Sequence, residues 1–309
     1  MIPRFEMIGK QNPAKPVIAI GNFDGVHCGH QEILNHLKDM AKSKNVNSVV
    51  ITFDKHPQNV LCAEKKLKVL TTKEEKIEIF KSMGIDTIIV IEFNSQTVMV
   101  DAEEFYYALL EGKLEASGIV IGHDHAFGHK RKGDVGFLSK LADKTGIEVF
   151  KINPALEGEE PISSTKIRDQ ILNGNCEDAS LLLGRPYSLS GIVKKGLGRG
   201  CTIGFPTANV EPAAVKVIPL VGVYAVRVYI DEKMLNGMMS IGKNMTFGEV
   251  KQTMEVHIFD FCEDVYDKEI KVEFISRIRD MKKFDDVNEL IDSLREDESR
   301  VREVLGIRK

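Results

Sequence analysis

The chain has 309 residues, of which 43% are hydrophobic and 28% charged, and its 46 acidic and 42 basic side chains leave a formal net charge of −4. This is the balance of a globular protein, and at about 150 residues per domain the length predicts two domains. The small acidic excess disfavours nucleic acid as the main partner. Because no apolar run approaches the roughly 20 residues that span a bilayer, no membrane partner is expected. Five scattered cysteines without a CxxC pair indicate reduced thiols, so we expect a cytoplasmic protein.

Short apolar runs alternate with amphipathic stretches through the first half of the chain. The runs predict strands at residues 17–20, 49–51, 87–91, 119–121 and 149–152. Helical spacing of apolar residues predicts helices at residues 30–44, 72–83, 101–110, 134–145 and 167–172. Strands interleaved with helices of this length predict βαβ units and a parallel sheet covered on both faces. The ligand site of such a sheet lies at the carboxyl ends of its strands.

A different pattern starts near residue 185. From residue 187 to about 278, short β-rich runs such as 223–230, 254–261 and 270–275 are separated by Gly, Asp and Asn, which predicts a small antiparallel barrel or sandwich. The charged tail from 285 to 305 predicts an amphipathic helix packed on those strands. Its apolar face consists of Val287, Leu290, Ile291, Leu294, Val301 and Leu305. We therefore expect one domain at residues 1–185 and a second at residues 186–309.

The turn between the first strand and the first helix, residues 21–30, reads Gly-Asn-Phe-Asp-Gly-Val-His-Cys-Gly-His. Its glycines allow the backbone to approach a ligand closely, and the helix N-terminus offers free N–H donors to an anion. His27 and His30 flank Gly29, so both imidazoles can contact one phosphate and neutralise the charge that develops in phosphoryl chemistry. The alternatives are a metal-binding histidine pair and a purely structural turn. We favour the phosphate site, because no nearby Cys or carboxylate completes a convincing zinc set.

Residues 162–168 read Ile-Ser-Ser-Thr-Lys-Ile-Arg and lead into the last predicted helix of this half. A single hydroxyl at this place would indicate only a helix cap. Three hydroxyls, from Ser163, Ser164 and Thr165, are followed here by Lys166 and Arg168. They exceed what a cap requires and predict a second anion-binding segment.

The second half contains a glycine- and lysine-rich stretch, residues 191–200, followed by Gly-Phe-Pro-Thr-Ala-Asn at residues 204–209. On an extended chain Thr207 and Asn209 face the same way and can hold Mg²⁺ and the phosphates it bridges, although both are also common turn residues. Further on, Glu255 alternates with apolar neighbours on a predicted strand. It is either a general base for a hydroxyl nucleophile or an exposed Glu on an edge strand, and the residue pattern leaves both alternatives open.

Several of these strings resemble a known family. His-x-Gly-His after the first strand and Ser-Ser-Thr-x-x-Arg after the last resemble the nucleotidylyltransferase superfamily. The longer string at residues 21–30 resembles its bacterial bifunctional riboflavin kinase/FMN adenylyltransferases, also called FAD synthetases. The strings at residues 204–209, 222–225 and 272–284 follow in the order of the riboflavin kinase domain. The resemblance implies an α/β, Rossmann-like nucleotidylyltransferase domain followed by a small antiparallel riboflavin kinase-like β-barrel with a terminal helix.

The resemblance also implies two activities: ATP-dependent phosphorylation of riboflavin to FMN, and adenylylation of FMN to FAD with release of pyrophosphate. It implies that His27 and His30 stabilise the α-phosphate of ATP, and that Glu255 deprotonates the ribityl 5′-hydroxyl. The other adenylyltransferase contacts that it implies are Gly21, Asn22, Phe23, Asp24, Gly25, Gly29, Asp124, Ser163, Ser164, Thr165 and Arg168. For the kinase it implies Gly191, Lys195, Gly196, Gly204, Thr207, Asn209 and Arg279, with Thr207 holding Mg²⁺ together with the ATP phosphates. The flavins are then substrates and products, the partners are small molecules, and we expect a monomer or a weak homo-oligomer.

The chain departs from the family pattern in both halves. Residues 124–128 read Asp-His-Ala-Phe-Gly where the family usually has Asp-Phe-Arg-Phe-Gly, and Ser240 and Met245 replace an Asn and a Pro. The family's proline would restrict φ in this loop, and Met245 does not. The substitutions motivate an alternative, an FMN adenylyltransferase with an impaired kinase-like domain. A more remote alternative is a non-catalytic flavin or nucleotide sensor. The histidines at residues 123, 125 and 129 suggest a metal site, but their spacing matches no structural zinc pattern.

Overall fold

The computed structural model describes residues 3–11, 13–62, 66–123, 127–128, 133–196, 199–246 and 249–307. Tertiary contacts divide the chain into two compact units, Met1–Ser164 and Thr165–Lys309. This division comes earlier than the domain boundary expected near residue 185, because the helix Cys176–Leu183 packs on strands of the second unit.

The N-terminal unit is built on one mixed sheet. Its strands are β1 Phe5–Gly9, β2 Val17–Ile20, β3 Ser48–Phe53, β4 Thr87–Ile91, β5 Gly118–Gly122 and β6 Glu148–Ile152. They lie in the order β1-β4-β3-β2-β5-β6, in which β2 to β6 are parallel and β1 pairs antiparallel with β4. The five predicted strands are confirmed. The edge strand β1 was not predicted, since its Phe-Glu-Met-Ile-Gly sequence contains no buried apolar run. A short hairpin, β7 Leu156–Glu157 and β8 Glu160–Pro161, follows the sheet.

The helices of this unit are α1 Cys28–Lys44, α2 Pro57–Leu61, α3 Lys73–Ser82, α4 Ser95–Val98, α5 Ala102–Phe105 and α6 Val135–Thr145. Helix α3 begins at a capping box: the Thr72 hydroxyl accepts a hydrogen bond from the Glu75 N–H, and the Glu75 carboxylate accepts one from the Thr72 N–H. The helix predicted at 101–110 is α5 continued by a π-helix, Tyr106–Lys113. Gly112 permits this wider turn, because a Cβ there would lie 2.7 Å from the Tyr107 carbonyl oxygen.

Alternate residues of β2 point to opposite faces of the sheet, as the pleat of a strand requires. Ile18 and Ile20 are buried in one core together with α5, α6 and the π-helix. Val17 and Ala19 are buried in a second core together with α1 and α3. The predicted sheet with two covered faces is therefore confirmed.

The C-terminal unit is a closed antiparallel barrel. Its strands are β9 Tyr187–Lys194, β10 Ala208–Pro212, β11 Gly222–Ile230, β12 Lys233–Thr246, β13 Glu249–Ile258 and β14 Glu269–Arg279. They lie in the order β10-β13-β12-β11-β14-β9, and the remaining pair, β9 and β10, closes the circle. Closure decides between the two predicted architectures in favour of the barrel. The other helices of the chain are α7 Ser164–Leu172, α8 Cys176–Leu183, α9 Arg199–Thr202 and α10 Val287–Val304.

Helix α10 packs against β11, β12 and β14, as predicted for the C-terminal tail. Ile291, Leu294 and Val301 contribute to the core between helix and barrel. Val287 is 57% exposed, so its predicted place on the apolar face is wrong. None of the helices in the described part of the chain combines the length and the apolar character needed to cross a bilayer.

Candidate active sites

The loop between β2 and α1 has a strained backbone. Phe23, Gly25 and Val26 have φ angles of 50°, 83° and 39°. The left-handed region suits Gly25 but is unfavourable for a β-branched residue such as Val26. Phe23 and Val26 are only 3% and 0% exposed, so their burial helps to offset the strain. Strain held by packing in this way is typical of functional loops.

The segment before α3 braces this loop. Asp24 Oδ1 accepts hydrogen bonds from the N–H groups of Leu70 at 2.9 Å and Thr71 at 3.1 Å. The Thr71 hydroxyl accepts one from the Gly25 N–H at 2.9 Å. Asp24 is 3% exposed, so its carboxylate stabilises the loop through hydrogen bonds within the protein. The resemblance had implied a contact with the nucleotide. Leu70 and Thr71 were not predicted as site residues, because nothing local in the sequence links them to a loop 46 residues away.

His27 and His30 lie at the N-terminus of α1 with their rings stacked, 3.6 Å between centroids and 18° between planes. Nδ1 of His27 caps the helix by accepting a hydrogen bond from the His30 N–H at 3.4 Å. The Phe23 ring packs edge-on against His30 at 5.3 Å, so this buried residue supports a histidine instead of presenting a surface to a ligand. A helix N-terminus with two adjacent imidazoles can bind and neutralise a phosphate. Gly21 and Gly29 remain half-buried beside it.

The second predicted segment meets this loop through Ser164. The Ser164 hydroxyl donates a hydrogen bond to the Asp24 carbonyl oxygen at 2.8 Å, and Ser164 is also the first residue of α7. Ser163 and Thr165 are exposed on either side of it. Arg168, one turn further along α7, is buried at 8% exposure. Tertiary structure thus brings together two strings that lie 140 residues apart.

A buried lysine of α3 contacts the same loop. Lys76 is 4% exposed, and its Nζ donates hydrogen bonds to the carbonyl oxygens of Asn22 at 3.1 Å and Phe53 at 2.9 Å, and to Thr52 Oγ1 at 3.2 Å. Burial lowers the pKa of Lys76 from 10.5 to about 8, although nearby carboxylates act in the opposite direction. Lys76 was not predicted as a site residue, since a lysine in an amphipathic helix is ordinarily a surface residue.

Part of the predicted adenylyltransferase site lies outside the described residues. Asp124, the altered positions His125 and Ala126, and the third histidine, His129, all fall there. Over the residues that are described, no group of three or more His, Cys, Asp or Glu side chains could hold a metal ion.

In the C-terminal unit, a cavity of about 230 Å³ is lined by barrel strands and α10. Its polar lining includes Thr207, Ser240, Glu255, His257 and Arg279, and its apolar lining includes Met238, Met281, Phe284, Leu290 and Leu294. Three predicted kinase residues, which are distant in sequence, therefore line one cavity.

Asn209 of β10 and Glu255 of β13 lie on neighbouring strands, and Thr207 stands just before β10. Asn209 is opposite Glu255 in the β10–β13 ladder, and Thr207 precedes Asn209 by two residues. All three are half-buried, and among the described residues their side chains have no hydrogen-bonding or ionic partner. Strand β13 pairs with β10 on one side and β12 on the other, so the interpretation of Glu255 as an exposed residue of an edge strand is wrong. A carboxylate held in a cavity without a partner can act as a general base.

Two glycines bring the glycine-rich stretch against these polar side chains. A Cβ at Gly196 would lie 2.0 Å from Asn209 Nδ2. A Cβ at Gly200 would lie 2.2 Å from the Phe205 carbonyl oxygen and 3.4 Å from Thr207 Oγ1. The Phe205 carbonyl therefore leaves no room for a side chain at Gly200, and a side chain at Gly196 would displace the Asn209 amide.

Lys195 and the predicted glycines Gly191, Gly196 and Gly204 do not line the cavity. Gly191 is buried in the barrel wall, where a Cβ would lie 2.7 Å from the Val210 side chain, so its role is in packing. Lys195 is exposed, with Nζ 5.7 Å from the centroid of the Tyr266 ring. Gly204 has a φ of 83° in the turn that precedes β10.

Arg279 is bonded to α10. Its Nε and Nη2 donate to the two carboxylate oxygens of Asp297 at 2.7 Å and 2.6 Å, and Nη2 also donates to Ser293 Oγ at 3.2 Å. Asp297 is 2% exposed. The resemblance implied that Arg279 contacts flavin, whereas its guanidinium is largely occupied by the protein. Asp297 was not predicted, because an Asp in a charged helix normally faces solvent.

The substituted residue Ser240 also faces this cavity. It lies opposite Glu255 in the β12–β13 ladder, and its Oγ is 3.7 Å from Met281 Sδ. The side chain of Met245, the other substituted residue, lies outside the described part of the structure.

Known families match both halves of the chain. The FAD synthetase family matches residues 9–166, and the riboflavin kinase family matches residues 183–305. The bifunctional riboflavin kinase/FMN adenylyltransferase of Bacillus subtilis is 36% identical over 97% of this chain and 96% of its own length. The protein of the same description from Listeria monocytogenes is 38% identical over 93% of this chain and 91% of its own length.

A solved structure from Streptococcus pneumoniae, described as a macrolide-efflux protein, is similar to this chain with a TM-score of 0.87 and 36% identity. The similarity covers 94% of this chain and 95% of the streptococcal one, so the fold is shared over nearly the full length. The two family matches cover most of this chain, and both curated relatives are described as bifunctional riboflavin kinases/FMN adenylyltransferases. On these grounds the chain belongs to the family of bifunctional riboflavin kinase/FMN adenylyltransferases.

Proposed function

We propose that the two units catalyse successive reactions at the sites described above. The barrel phosphorylates riboflavin with ATP and releases ADP, and the N-terminal unit then transfers AMP from a second ATP to FMN and releases pyrophosphate. The observation that carries this proposal is the presence of two separate sites, the stacked histidines of α1 and the Glu255 carboxylate in the barrel cavity. A protein with one activity would need only one of these sites.

In the N-terminal unit, a phosphate oxygen of FMN attacks the α-phosphorus of ATP, and the bond from that phosphorus to the pyrophosphate oxygen breaks. His27 and His30 stabilise the charge on the α-phosphate while the bond changes take place. For the triphosphate we keep the contacts that the resemblance implies, Ser163 at the end of this unit and Thr165 and Arg168 in the segment that follows it. Direct attack requires no covalent intermediate with the protein, so the half-buried Cys28 between the histidines has no chemical role.

In the barrel, Glu255 accepts the proton of the ribityl 5′-hydroxyl as its oxygen attacks the γ-phosphorus of ATP. The apolar wall formed by Met281, Phe284 and Leu294 suits the flavin ring system. Arg279, which is bonded to Asp297, contributes to this wall and holds α10 in place.

The side chains present also fit Mg²⁺. This ion prefers oxygen ligands and commonly binds through one or two protein groups and the phosphates of a nucleotide. The hydroxyl of Thr207 and the side-chain carbonyl of Asn209 supply such oxygens and have no protein partner among the described residues. When bound, Mg²⁺ would neutralise phosphate charge.

The remaining expectations belong to the same proposal. We place the boundary of the kinase domain near residue 185, and the riboflavin kinase match that begins at residue 183 supports it. We propose a cytoplasmic monomer or weak homo-oligomer that acts on small molecules and has no nucleic-acid partner. The alternative of an adenylyltransferase with an impaired kinase domain is not favoured, because the riboflavin kinase family matches through residue 305.

A chromatographic assay of the purified full chain tests the proposal. One reaction contains riboflavin, ATP and Mg²⁺, and a parallel reaction starts from FMN. We expect FAD from both and FMN as an intermediate in the first. FAD from FMN alone would contradict a working kinase site, and flavin binding without any product would indicate a sensor.

A further inference from the structure

Lys76 connects the ends of two neighbouring strands. Asn22 lies just after β2, and Phe53 is the last residue of β3. The Lys76 ammonium donates to the carbonyl oxygens of both residues and to Thr52 Oγ1, and the Thr52 hydroxyl in turn donates to the Asn22 carbonyl at 3.2 Å. These strand ends form the edge at which ligands of a parallel sheet bind. One side chain of α3 therefore ties the start of the histidine loop to the adjacent strand.

Burying an ammonium group to make this connection carries a cost in free energy. Taking a charged group out of water is unfavourable, and an apolar side chain could fill the same space. The three acceptors of Lys76 are neutral oxygens. The carboxylates that act on it at longer range are Asp24 of the loop, Asp54 after β3 and Glu74 of its own helix.

We propose that Lys76 is a positioning residue for adenylyl transfer, whose ammonium holds the Asn22 and Phe53 carbonyls so that the strained loop presents His27 and His30 to the phosphate. This inference rests on the proposed function of the N-terminal unit. Lys76 touches neither substrate in the proposal; it acts through the loop. The charged form is required because an ammonium has three hydrogens for three acceptors, whereas the neutral amine has two.

The pH dependence separates this role from a purely structural one. Since the pKa of Lys76 is lowered to about 8 in the folded chain, the ammonium loses its proton between about pH 7 and pH 9. A lowered lysine pKa means that the folded state holds the proton less tightly than the unfolded state. The contribution of Lys76 to the free energy of unfolding therefore rises with pH from about 8 towards 10.5. Positioning by the ammonium predicts the opposite trend for adenylyl transfer, which should decline over the same range.

The test uses the full chain with Lys76→Met, and Lys81→Met as the matched control, because Lys81 is an exposed lysine of the same helix. We expect Lys76→Met to lower kcat for FAD formation from FMN about 10- to 100-fold, as misplacement of a catalytic loop does. FMN formation from riboflavin by the same preparation should stay within about 2-fold of wild type, since that site is in the barrel. Lys81→Met should change neither activity.

The pH profile supplies the second readout. In wild type, kcat for FAD formation should fall above a pKa near 8, and Lys76→Met and Lys76→Gln should lack this alkaline limb. An unchanged kcat or an unchanged profile in either variant would overturn the role of Lys76. Loss of the folded N-terminal unit in both variants, measured by thermal unfolding, would also overturn it by assigning Lys76 to folding. No FAD formation by wild type, with FMN still produced, would instead contradict the proposed function.

Discussion

The polar groups of the two sites differ in how many hydrogen bonds they form with the rest of the protein. In the N-terminal unit, the loop after β2 is bonded along its length to the surrounding protein: the Asn22 carbonyl to Lys76, the Asp24 carboxylate to the segment before α3, and the Asp24 carbonyl to Ser164. In the barrel, Thr207, Asn209 and Glu255 have no side-chain partner in the described part of the chain.

This difference fits the two reactions proposed for them. The adenylyl site has to present imidazoles and backbone N–H groups at a fixed place, so the protein's own hydrogen bonds hold the loop. The kinase site has to supply oxygens to a metal ion and a base to a hydroxyl, so those groups remain available. Substitutions in the loop should therefore act through geometry, and substitutions in the cavity should act directly on chemistry.

The largest effect is expected for Glu255→Gln, which removes the base and keeps the shape of the side chain. We expect kcat for riboflavin phosphorylation to fall by about 10²- to 10⁴-fold, the usual contribution of a general base. FAD formation from FMN should be unchanged. Chromatographic rates from riboflavin and from FMN measure both activities, and Glu269→Gln, at an exposed residue of β14, is the control. Equal loss of both activities would contradict the division of labour between the units.

The reciprocal substitution is His30→Asn in the N-terminal unit. Loss of one group that stabilises the α-phosphate should lower adenylyl transfer by about 10²- to 10³-fold. Riboflavin phosphorylation should be unaffected. His36→Asn is a matched control, because His36 is exposed on the same helix. If His30→Asn retains full FAD formation, the stacked histidines are not the adenylyl site.

A smaller effect is expected for Asp297→Asn, which weakens the bidentate pair with Arg279. Arg279 would lose its charged partner at the cavity wall, so the KM for riboflavin should rise about 10-fold, with kcat within about 2-fold of wild type. Replacing a hydrogen-bonded buried charge should also lower barrel stability by about 1–3 kcal/mol. Asp292→Asn is the control, since the Asp292–Arg295 pair on the same helix is about 70% exposed on both sides. If Asp297→Asn and Asp292→Asn change the KM for riboflavin equally, Asp297 has no specific role in flavin binding.

The smallest effect concerns stability in the N-terminal unit. Burial alone would raise the pKa of the Asp86 carboxyl, but hydrogen bonds from Lys10 and from the Ser48 N–H and hydroxyl outweigh it and hold this pKa below 3.8. A lowered carboxyl pKa stabilises the folded state above pH 3.8 and loses that contribution as the pH falls below it. Because Lys10 is 64% exposed and Asp86 30%, solvent weakens their ion pair, and we expect Asp86→Asn to cost about 1 kcal/mol at pH 7.

Denaturant unfolding at pH 7 and at pH 3 measures this difference, with the exposed Asp39→Asn of α1 as the control. The destabilisation by Asp86→Asn should shrink at pH 3. A constant difference at both pH values would show that the Asp86 charge does not contribute. Neither variant should change either activity.

Local sequence was sufficient for most of the fold. The apolar runs at 17–20 and 87–91 predicted strands β2 and β4, because a run of only four or five apolar residues favours a strand covered on both faces. The capping residues Thr72 and Glu75 mark the start of α3 in the same local way. The edge strand β1 and the π-helix at Tyr106–Lys113 were not predictable, since one depends on pairing with a distant strand and the other on a close carbonyl approach at Gly112.

For the sites, the sequence by itself determined which residue types stand at each place: two histidines at a helix N-terminus, hydroxyls before α7, and Thr207, Asn209 and Glu255 in the barrel. Only the tertiary structure decided what those side chains contact. It buried Asp24 and Phe23 in contacts within the protein and placed Glu255 in a cavity lined by barrel strands and α10. It also buried Lys76 and Asp297, which local patterns assign to the surface. The reason is physical: burial and hydrogen-bond partners depend on segments that are distant in sequence, and a residue's type does not reveal them.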